Sequence, residues 1–354
     1  MSRYIILGDI HGCFDELMDL LTRVEASDED MVVSVGDLVD RGPDSPRVLQ
    51  WFIDRCARGR AVVLMGNHER KHVRKVFSYS QEITRLQLGA QYEAATAWMA
   101  ERPYFFETPE FVVVHAALQP GLPLAEQKEE VLAGTVAGER ALQAALGGHF
   151  WHEVYAGPKP VVFGHHVVGD HPLVARGVIY GLDTGACHGG RLTALVVPGF
   201  TLHSVPARAD HWEQTKRRFQ AAVLLSKPWL DMGLAKASRE LEQYADETGP
   251  ALAALRTWLD SLPALIETCR LQLLAESERL LSEHGSAGFA VAVEPHPAKA
   301  LLHLAARGRL DRDALQKRCP TPRKATELAT QLGITPPVPT PRFEIDGALP
   351  APGG

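Results

Sequence analysis

Three short motifs place acidic, imidazole and amide side chains directly behind apolar runs: Gly8-Asp9-Ile10-His11-Gly12, Gly36-Asp37-Leu38-Val39-Asp40-Arg41-Gly42 and Gly66-Asn67-His68-Glu69. Two more histidines, His115 and His165, end the runs Phe111 to Val114 and Pro160 to Phe163. Divalent cations of the manganese, iron and zinc type accept carboxylate, imidazole and amide oxygen ligands together. Asp9, His11, Asp37, Asn67, His115 and His165 supply such a set. All six are expected at the carboxyl ends of strands, where an open α/β sheet forms its crevice. Two cations about 3.5–4 Å apart need a shared ligand. Asp37 is the natural bridge, because its strand is central in the motif order. Asp9 and His11 complete one metal site, and Asn67, His115 and His165 the other. A hydroxide bridging the two cations, its pKa lowered by both, attacks phosphorus in line. The expectation is a dinuclear-metal-dependent phosphoesterase holding manganese, with iron, zinc or nickel as alternatives.

The neighbouring polar residues then take roles. His68, next to ligand Asn67, is the general acid toward the leaving oxygen, and Asp40 holds its imidazole in the required tautomer. Arg41 offers a planar fork to the phosphate oxygens. Asp183, at another strand end, orients a ligating histidine. Each motif alone has a plainer reading: a turn needing a positive φ at Gly, or a capped helix start. Their joint occurrence at successive strand ends points to the metal site. His72, His149, His152, His166, His171 and His188 are read as ordinary histidines, and Cys13 and Cys187 as packing residues.

The elements that position these residues follow from periodicity. Apolar runs at 3–8, 31–35, 60–65, 111–114, 160–163, 178–182 and 192–197 predict strands. Helical spacing between the first three implies a largely parallel sheet buried on both faces. Residues 68–100 and 124–147 read as helical. After Pro206 strand signals give way to helices at 212–225, 230–244, 252–262 and 265–281, with shorter ones at 296–306 and 321–332. Residues 288–294 are apolar and read as a candidate strand. The divisions expected are 1–205 as catalytic domain, 206–333 as helical accessory domain and 334–354 as a Pro-rich, disordered tail. There is no internal repeat.

In 354 residues, 45% hydrophobic and 23% charged, the chain has an ordinary globular composition, and its net charge of −6 gives no global attraction to nucleic acid or an anionic membrane. Residues 206–354 carry 19 of the 37 basic and 18 of the 43 acidic side chains, so the first half is near −7 and the second near +1. Five cysteines without a CxxC pair fit reduced thiols. No uncharged run approaches a membrane span, and Asp9 and His11 interrupt any export-signal pattern, so a cytoplasmic protein is expected.

With GDIHG, GDLVDRG, GNHE, Val114-His115-Ala116 and Gly164-His165-His166 in this order, the chain resembles the calcineurin-like metallophosphoesterases, in the phosphoprotein phosphatase branch. The resemblance covers roughly residues 3–198. It implies an α/β fold, a β-sandwich of two sheets flanked by helices, followed here by a mostly helical C-terminal domain. It implies two metals on the six ligands above, His68 and Asp40 as the acid pair, and phosphate binding by Arg41. Residues 8–17 and 40–49 are similar to bacterial diadenosine tetraphosphatases and small bacterial protein phosphatases, and residues 183–199 to the phosphatase module of bacterial polynucleotide kinase-phosphatases. Protein Ser/Thr phosphatases carry Arg where this chain has Met65, and HGG where it has His115-Ala116-Ala117. The leading expectation is a phosphatase of the phosphoprotein-phosphatase type. The alternatives are a diadenosine tetraphosphatase or an RNA-end 2′,3′-phosphoesterase whose C-terminal domain binds RNA. A basic stretch at 307–324, seven cations against Asp311 and Asp313, motivates the last, and a solvated helical face is the preferred reading. Residues 210–285 could instead recruit a protein partner.

Overall fold

Strand β1 (Tyr4–Leu7) alternates its side chains between two cores. Ile5 and Leu7 join Val32 under the flanking helices, whereas Ile6 joins Val33, Val113, Val162 and Tyr180 in a second cluster. Both faces of the strand are thus buried, which is why its sequence is a continuous apolar run rather than an alternating one. The computed structural model describes residues 3–245 and 248–341.

β1, β2 (Met31–Ser34) and β3 (Ala61–Val63) run parallel, connected through α1 (Phe14–Arg23) and α2 (Ser45–Ala57). α1 buries Leu17, Leu20 and Leu21 at helical spacing, with Asp15 and Glu16 in its first turn. Asp44 caps α2 by accepting from Arg47 N–H at 3.1 Å. α3 (Asn67–Val73), α4 (Tyr79–Leu88) and α5 (Tyr92–Ala100) lead to β4 (Phe105–Glu107) and β5 (Val112–Val114). An insert carrying α6 (Glu129–Leu132), α7 (Val136–Leu146) and α8 (Trp151–Val154) precedes β6 (Val161–Phe163), β7 (Leu173–Ala175) and β8 (Ile179–Gly181). β9 (Arg191–Val197) and β10 (Thr201–Pro206) return to the first sheet, and α9 (His211–Ser226) comes next.

The result is two five-stranded sheets, ordered β10-β9-β1-β2-β3 and β4-β5-β6-β8-β7, not the one largely parallel sheet that periodicity alone suggests. In the first sheet the parallel triplet β1-β2-β3 ends at the β3 edge and antiparallel β9 and β10 extend the other side, whereas in the second the parallel triplet β5-β6-β8 is central, with antiparallel β4 and β7 at the margins. The paired sheets implied by the family resemblance are what the chain forms. β4, β7 and β10 escape the sequence reading because they are short or half-exposed and bury few side chains. The register sets where the strands stop. Leu7 pairs with Ser34, Ser34 with Val63, and Phe163 with Gly181, so the parallel strands of each sheet end level.

The chain divides between Val223 and Leu224 into two compact units, a boundary inside α9. In the first unit, α9 sets Phe219 and Val223 against Ile83 of α4. The second unit holds α10 (Leu234–Glu242), α11 (Pro250–Val293), α12 (Lys299–Ala306), α13 (Arg312–Arg318) and α14 (Pro322–Gln331) around buried Trp229, Trp258, Leu273 and Leu302. α11 continues through Pro263, where two separate helices are expected from the sequence, and breaks at Gly285 with φ 63°. Leu262, Leu265 and Ile266 are buried around the proline, so packing outweighs the lost hydrogen bond. Residues 288–293 are helical and Glu294 caps the helix, so the stretch 288–294 is not a strand: Phe289 and Val293, four apart, bury one face. Within the basic stretch 307–324, Arg312 pairs with Glu267 at 3.1 Å, Arg323 with Asp231 at 2.6 Å and Lys324 with Glu327 at 2.9 Å. Among the described residues no helix is long and apolar enough to cross a membrane. Residues 334–341 carry no helix or strand, and the remaining tail, 342–354, lies outside the described residues.

Candidate metal centre

The level strand ends deliver the polar residues to one place. Asp9 and His11 follow β1, Asp37, Asp40 and Arg41 follow β2, and Asn67 and His68 open α3 after β3. His115 follows β5 directly, His165 follows β6 by one glycine, and Asp183 follows β8. Five of these residues hold left-handed backbone: His11 (φ 46°), Asp37 (52°), Asp40 (73°), Arg41 (63°) and His165 (73°). Such angles are uncommon outside glycine and gather where a site needs its side chains aimed. Glu69 holds the β2 loop in that shape, accepting from Asp37 N–H at 2.9 Å, Leu38 N–H at 2.7 Å and Gly66 N–H at 3.2 Å. Burial, then the neighbouring Asp37, pushes its carboxyl up to about 8 against the pull of those donors. Gly66 must be glycine, since a Cβ there would lie 2.1 Å from Asp37 Oδ1.

One oxygen sits at the middle. Asp37 Oδ2 is 3.5 Å from His115 Nε2, 3.7 Å from His11 Nε2 and 4.0 Å from His68 Nε2. Asp37 Oδ1 is occupied separately, by His68 N–H at 3.0 Å. Two triads of potential ligand atoms therefore share Asp37: His11–Asp37–His68 and Asp37–His115–His165. Asn67 Oδ1 joins the second, 3.0 Å from both His115 Nε2 and His165 Nδ1. Asp9 stands beside the triads, its carboxylate taking His165 N–H at 3.1 Å, with Asp183 and Asp37 nearby. Burial, then those two carboxylates, pushes Asp9 well up, while Asp183 rises to about 6, mainly by burial. The Asp183 carboxylate accepts from Gly185 N–H at 3.0 Å and, among the described residues, from no histidine, so it flanks Asp9 where the sequence suggested that it orients a ligating histidine.

The outer nitrogens of the rings decide the tautomers. His11 Nδ1 meets Val39 O at 2.7 Å, His115 Nδ1 meets Val35 O at 3.1 Å, and His165 Nε2 meets Glu139 Oε1 at 2.8 Å. A carbonyl or carboxylate only accepts, so each outer nitrogen carries the proton and each inner nitrogen presents a lone pair. Burial keeps the rings neutral: His115 is pushed down to about 4, and His11 and His165 are also lowered. The centre therefore gathers three imidazole lone pairs, an amide oxygen and a carboxylate oxygen. Arg41 Nη1 donates to His11 Nε2 at 3.2 Å from one side. His68 Nε2 is buried without a partner among the described residues. A buried cluster of acceptors is costly as it stands and fits divalent cations, whose N and O bonds are about 2.0–2.2 Å for zinc.

His68 Nδ1 donates to Asp40 Oδ2 at 2.6 Å, the geometry expected of the pair. Two further donors reach the same carboxylate: His72 Nε2 at 2.9 Å and Gln81 Nε2 from α4. Burial works to raise Asp40, and the hydrogen bonds from His68 and then His72 outweigh it, leaving it well below the usual range. His72, read as an ordinary histidine, thus helps hold the His68–Asp40 pair and passes on to Tyr92 OH at 3.0 Å. Its position four residues after His68 on one helix is the available signal. Gln81 and Glu139 come from helices across loops and have no local signal.

A family model described as calcineurin-like phosphoesterase matches residues 2–186. An asymmetrical bis(5′-nucleosyl)-tetraphosphatase from Halalkalibacterium halodurans is 28% identical over 245 residues, covering 61% of this chain and 99% of that protein. A symmetrical bis(5′-nucleosyl)-tetraphosphatase from Vibrio parahaemolyticus is 38% identical over 128 residues, 34% of this chain and 46% of that protein. The crystal structure of a metallophosphoesterase from Sphaerobacter thermophilus aligns with a TM-score of 0.40 and 19% identity, covering 61% of this chain and 93% of that one.

Proposed function

The chain belongs to the calcineurin-like phosphoesterases, metal-dependent hydrolases of phosphate esters, and on that premise we propose a dinuclear enzyme acting on a nucleoside polyphosphate of the bis(5′-nucleosyl) tetraphosphate kind. The observation that carries the dinuclear reading is the position of Asp37 Oδ2, shared by two triads of potential ligand atoms that are buried except at half-buried His165. The substrate class rests on the names of the curated relatives. His11, Asp37 and Asp9 would hold one cation, and Asp37, Asn67, His115 and His165 the other. When bound, two such cations, manganese in this reading, supply the Lewis acidity that activates water and neutralises phosphoryl oxygens.

The chain's own residues supply the rest. Arg41 offers its guanidinium to the phosphoryl oxygens in two-pronged fashion. His68, aimed inward by Asp40, carries a proton at Nε2 to the departing oxygen. His72 and Gln81 keep Asp40 ionised and in place, so His68 stays in one orientation. The five unpaired thiols support a reducing compartment for this reaction.

The test is a substrate panel on the purified, manganese-loaded chain: bis(5′-nucleosyl) tetraphosphate, a phosphopeptide and a 2′,3′-cyclic nucleotide. The tetraphosphate should be preferred in kcat/KM, and chelation should abolish its hydrolysis. Turnover confined to the phosphopeptide or the cyclic nucleotide would overturn the substrate class, and full activity after chelation would overturn the metal centre.

A further inference from the structure

The three centre-facing histidines are not held alike. His11 and His115 rest their outer nitrogens on main-chain carbonyls, Val39 O and Val35 O. His165 rests its outer nitrogen on a side chain, Glu139 Oε1 at 2.8 Å. Glu139 lies in the first turn of α7, in the insert between β5 and β6. That turn is built against the ring. Thr135 caps α7 by accepting from Gly138 N–H at 3.1 Å, and Glu139 N–H donates to Thr135 O at 2.8 Å. Gly134, just before it, has φ 65°, and a Cβ there would lie 2.5 Å from His165 Nε2. The insert reaches Asn67 as well. Arg70, on the helix that Asn67 opens, donates to Glu130 Oε1 of α6 at 2.7 Å. The helix that Asn67 opens and the ring of His165, which faces Asn67 Oδ1 at 3.0 Å, are therefore both tied to the insert, one through Arg70 and the other through Glu139.

We propose that Glu139 is a positioning residue for the second cation: it fixes the Nδ1-lone-pair tautomer and the orientation of His165, and so makes the affinity of that site alone depend on α7. The proposal rests on the dinuclear reading above. Glu139 accepts and cannot donate, so His165 must protonate at Nε2 and present Nδ1 inward. Without it, the ring is free to take the other tautomer or to turn toward solvent. The first site has no such dependence, because its histidine is fixed by the backbone. Residues that orient a ligand in this way are worth about 10–100-fold in metal affinity.

The experiment is a manganese titration of the full-length chain, followed by electron paramagnetic resonance and by metal content after dialysis. The wild type should pass from a six-line mononuclear spectrum to an exchange-coupled dinuclear one. Glu139→Ala should retain the first transition and need about 10–100-fold more manganese for the second. Glu139→Gln, which keeps an acceptor oxygen and the side-chain volume, should show a smaller shift, and it carries the test if the alanine variant fails to fold. His166→Ala should change neither transition, since His166 is 68% exposed and stands 3.4 Å from the same carboxylate. Identical second transitions in wild type, Glu139→Ala and Glu139→Gln would overturn the positioning role while leaving two cations in place. A shift in His166→Ala as large as that in Glu139→Ala would also overturn it, making the pair an outer ligand set. A wild type that never binds a second cation would overturn the dinuclear reading and the inference with it.

Discussion

Asp37 Oδ2 is the atom on which both halves of the centre converge. Asp37→Asn removes the charge and replaces one carboxylate oxygen with an amide group. Both cations should then be lost, and metal content should fall for the two sites together. A variant keeping two metals per chain and near-normal rate would show that the bridge lies elsewhere. His68 makes a different demand. If its Nε2 protonates the leaving oxygen, its value scales with how poor the leaving group is. His68→Ala should lose about 10²–10⁴-fold on an alkyl phosphate and much less on an aryl phosphate, whose phenolate departs unaided. Asp40→Asn should repeat that pattern more weakly, because it orients the ring and donates nothing. Arg41→Ala should damage both esters alike if, as proposed, it binds the phosphoryl oxygens they share. The measurement is kcat/KM for the three variants on a matched pair of esters. Equal losses on both for His68→Ala would leave it a positioning residue.

At the level of elements, α1 and α9 are joined through Glu16. Its buried carboxylate accepts from His211 Nε2 at 2.7 Å and from Arg208 N–H at 2.9 Å. Burial works to raise Glu16, but His211 and then Arg208 N–H outweigh it, so its folded pKa lies below the ordinary 4.5. The stability this gives is full above pH 4.5 and is lost as pH falls through the folded value. Glu16→Gln should lower stability by about 1.5–3 kcal/mol at neutral pH, the range for a hydrogen bond to a charged group. It should also flatten the fall in stability below about pH 4.5 that the wild type shows. Denaturant midpoints at a series of pH values check both, and an unchanged acid slope would place the acid sensitivity in other carboxylates. None of this pairing could be read from the sequence, where Glu16 and His211 lie 195 positions apart. Distance along the chain hides Glu139 and Gln81 in the same way. The motif residues are legible because each lies within a few positions of a strand end that an all-apolar run announces. Strands with buried side chains are legible for that reason, edge strand β3 included, whereas β7, with intermediate and exposed side chains, gives no such run. Pro263 misleads in the other direction, because local chemistry ends a helix there and only the buried neighbours on either side carry it through.

For the molecule as a whole, the question is where the catalytic unit ends. Composition shifts after Pro206, but α9 lies across the boundary at Val223 and packs on the helix whose Gln81 holds Asp40. Phe219 and Val223 of α9 pack on Ile83 of α4, and Tyr79 OH donates to Lys216 O at 2.9 Å. α4 in turn carries Gln81, which donates to Asp40 and thereby steadies His68. A chain ending at residue 226 keeps this path, whereas one ending at 205 loses it together with both partners of Glu16. The shorter chain exposes Phe219's and Val223's contact surface on α4 and leaves a buried carboxylate unpaired. Fully burying such side chains is worth about 1.5–3 kcal/mol each, so the 1–205 chain should be less stable than 1–226 by at least about 3 kcal/mol. Its catalytic defect should have a signature. Loosening Gln81 should weaken the proposed acid pair, so the 1–205 chain should lose more rate on the alkyl ester than on the aryl ester, as Gln81→Ala should in the full chain. The 1–226 chain should match the full-length protein on both esters, because every residue of the centre and its supports lies within it. Equal midpoints and equal rates for 1–205 and 1–226 would show that α9 supports neither the fold nor His68. A rate lost in both truncations on both esters would instead assign the second unit a part in the reaction itself.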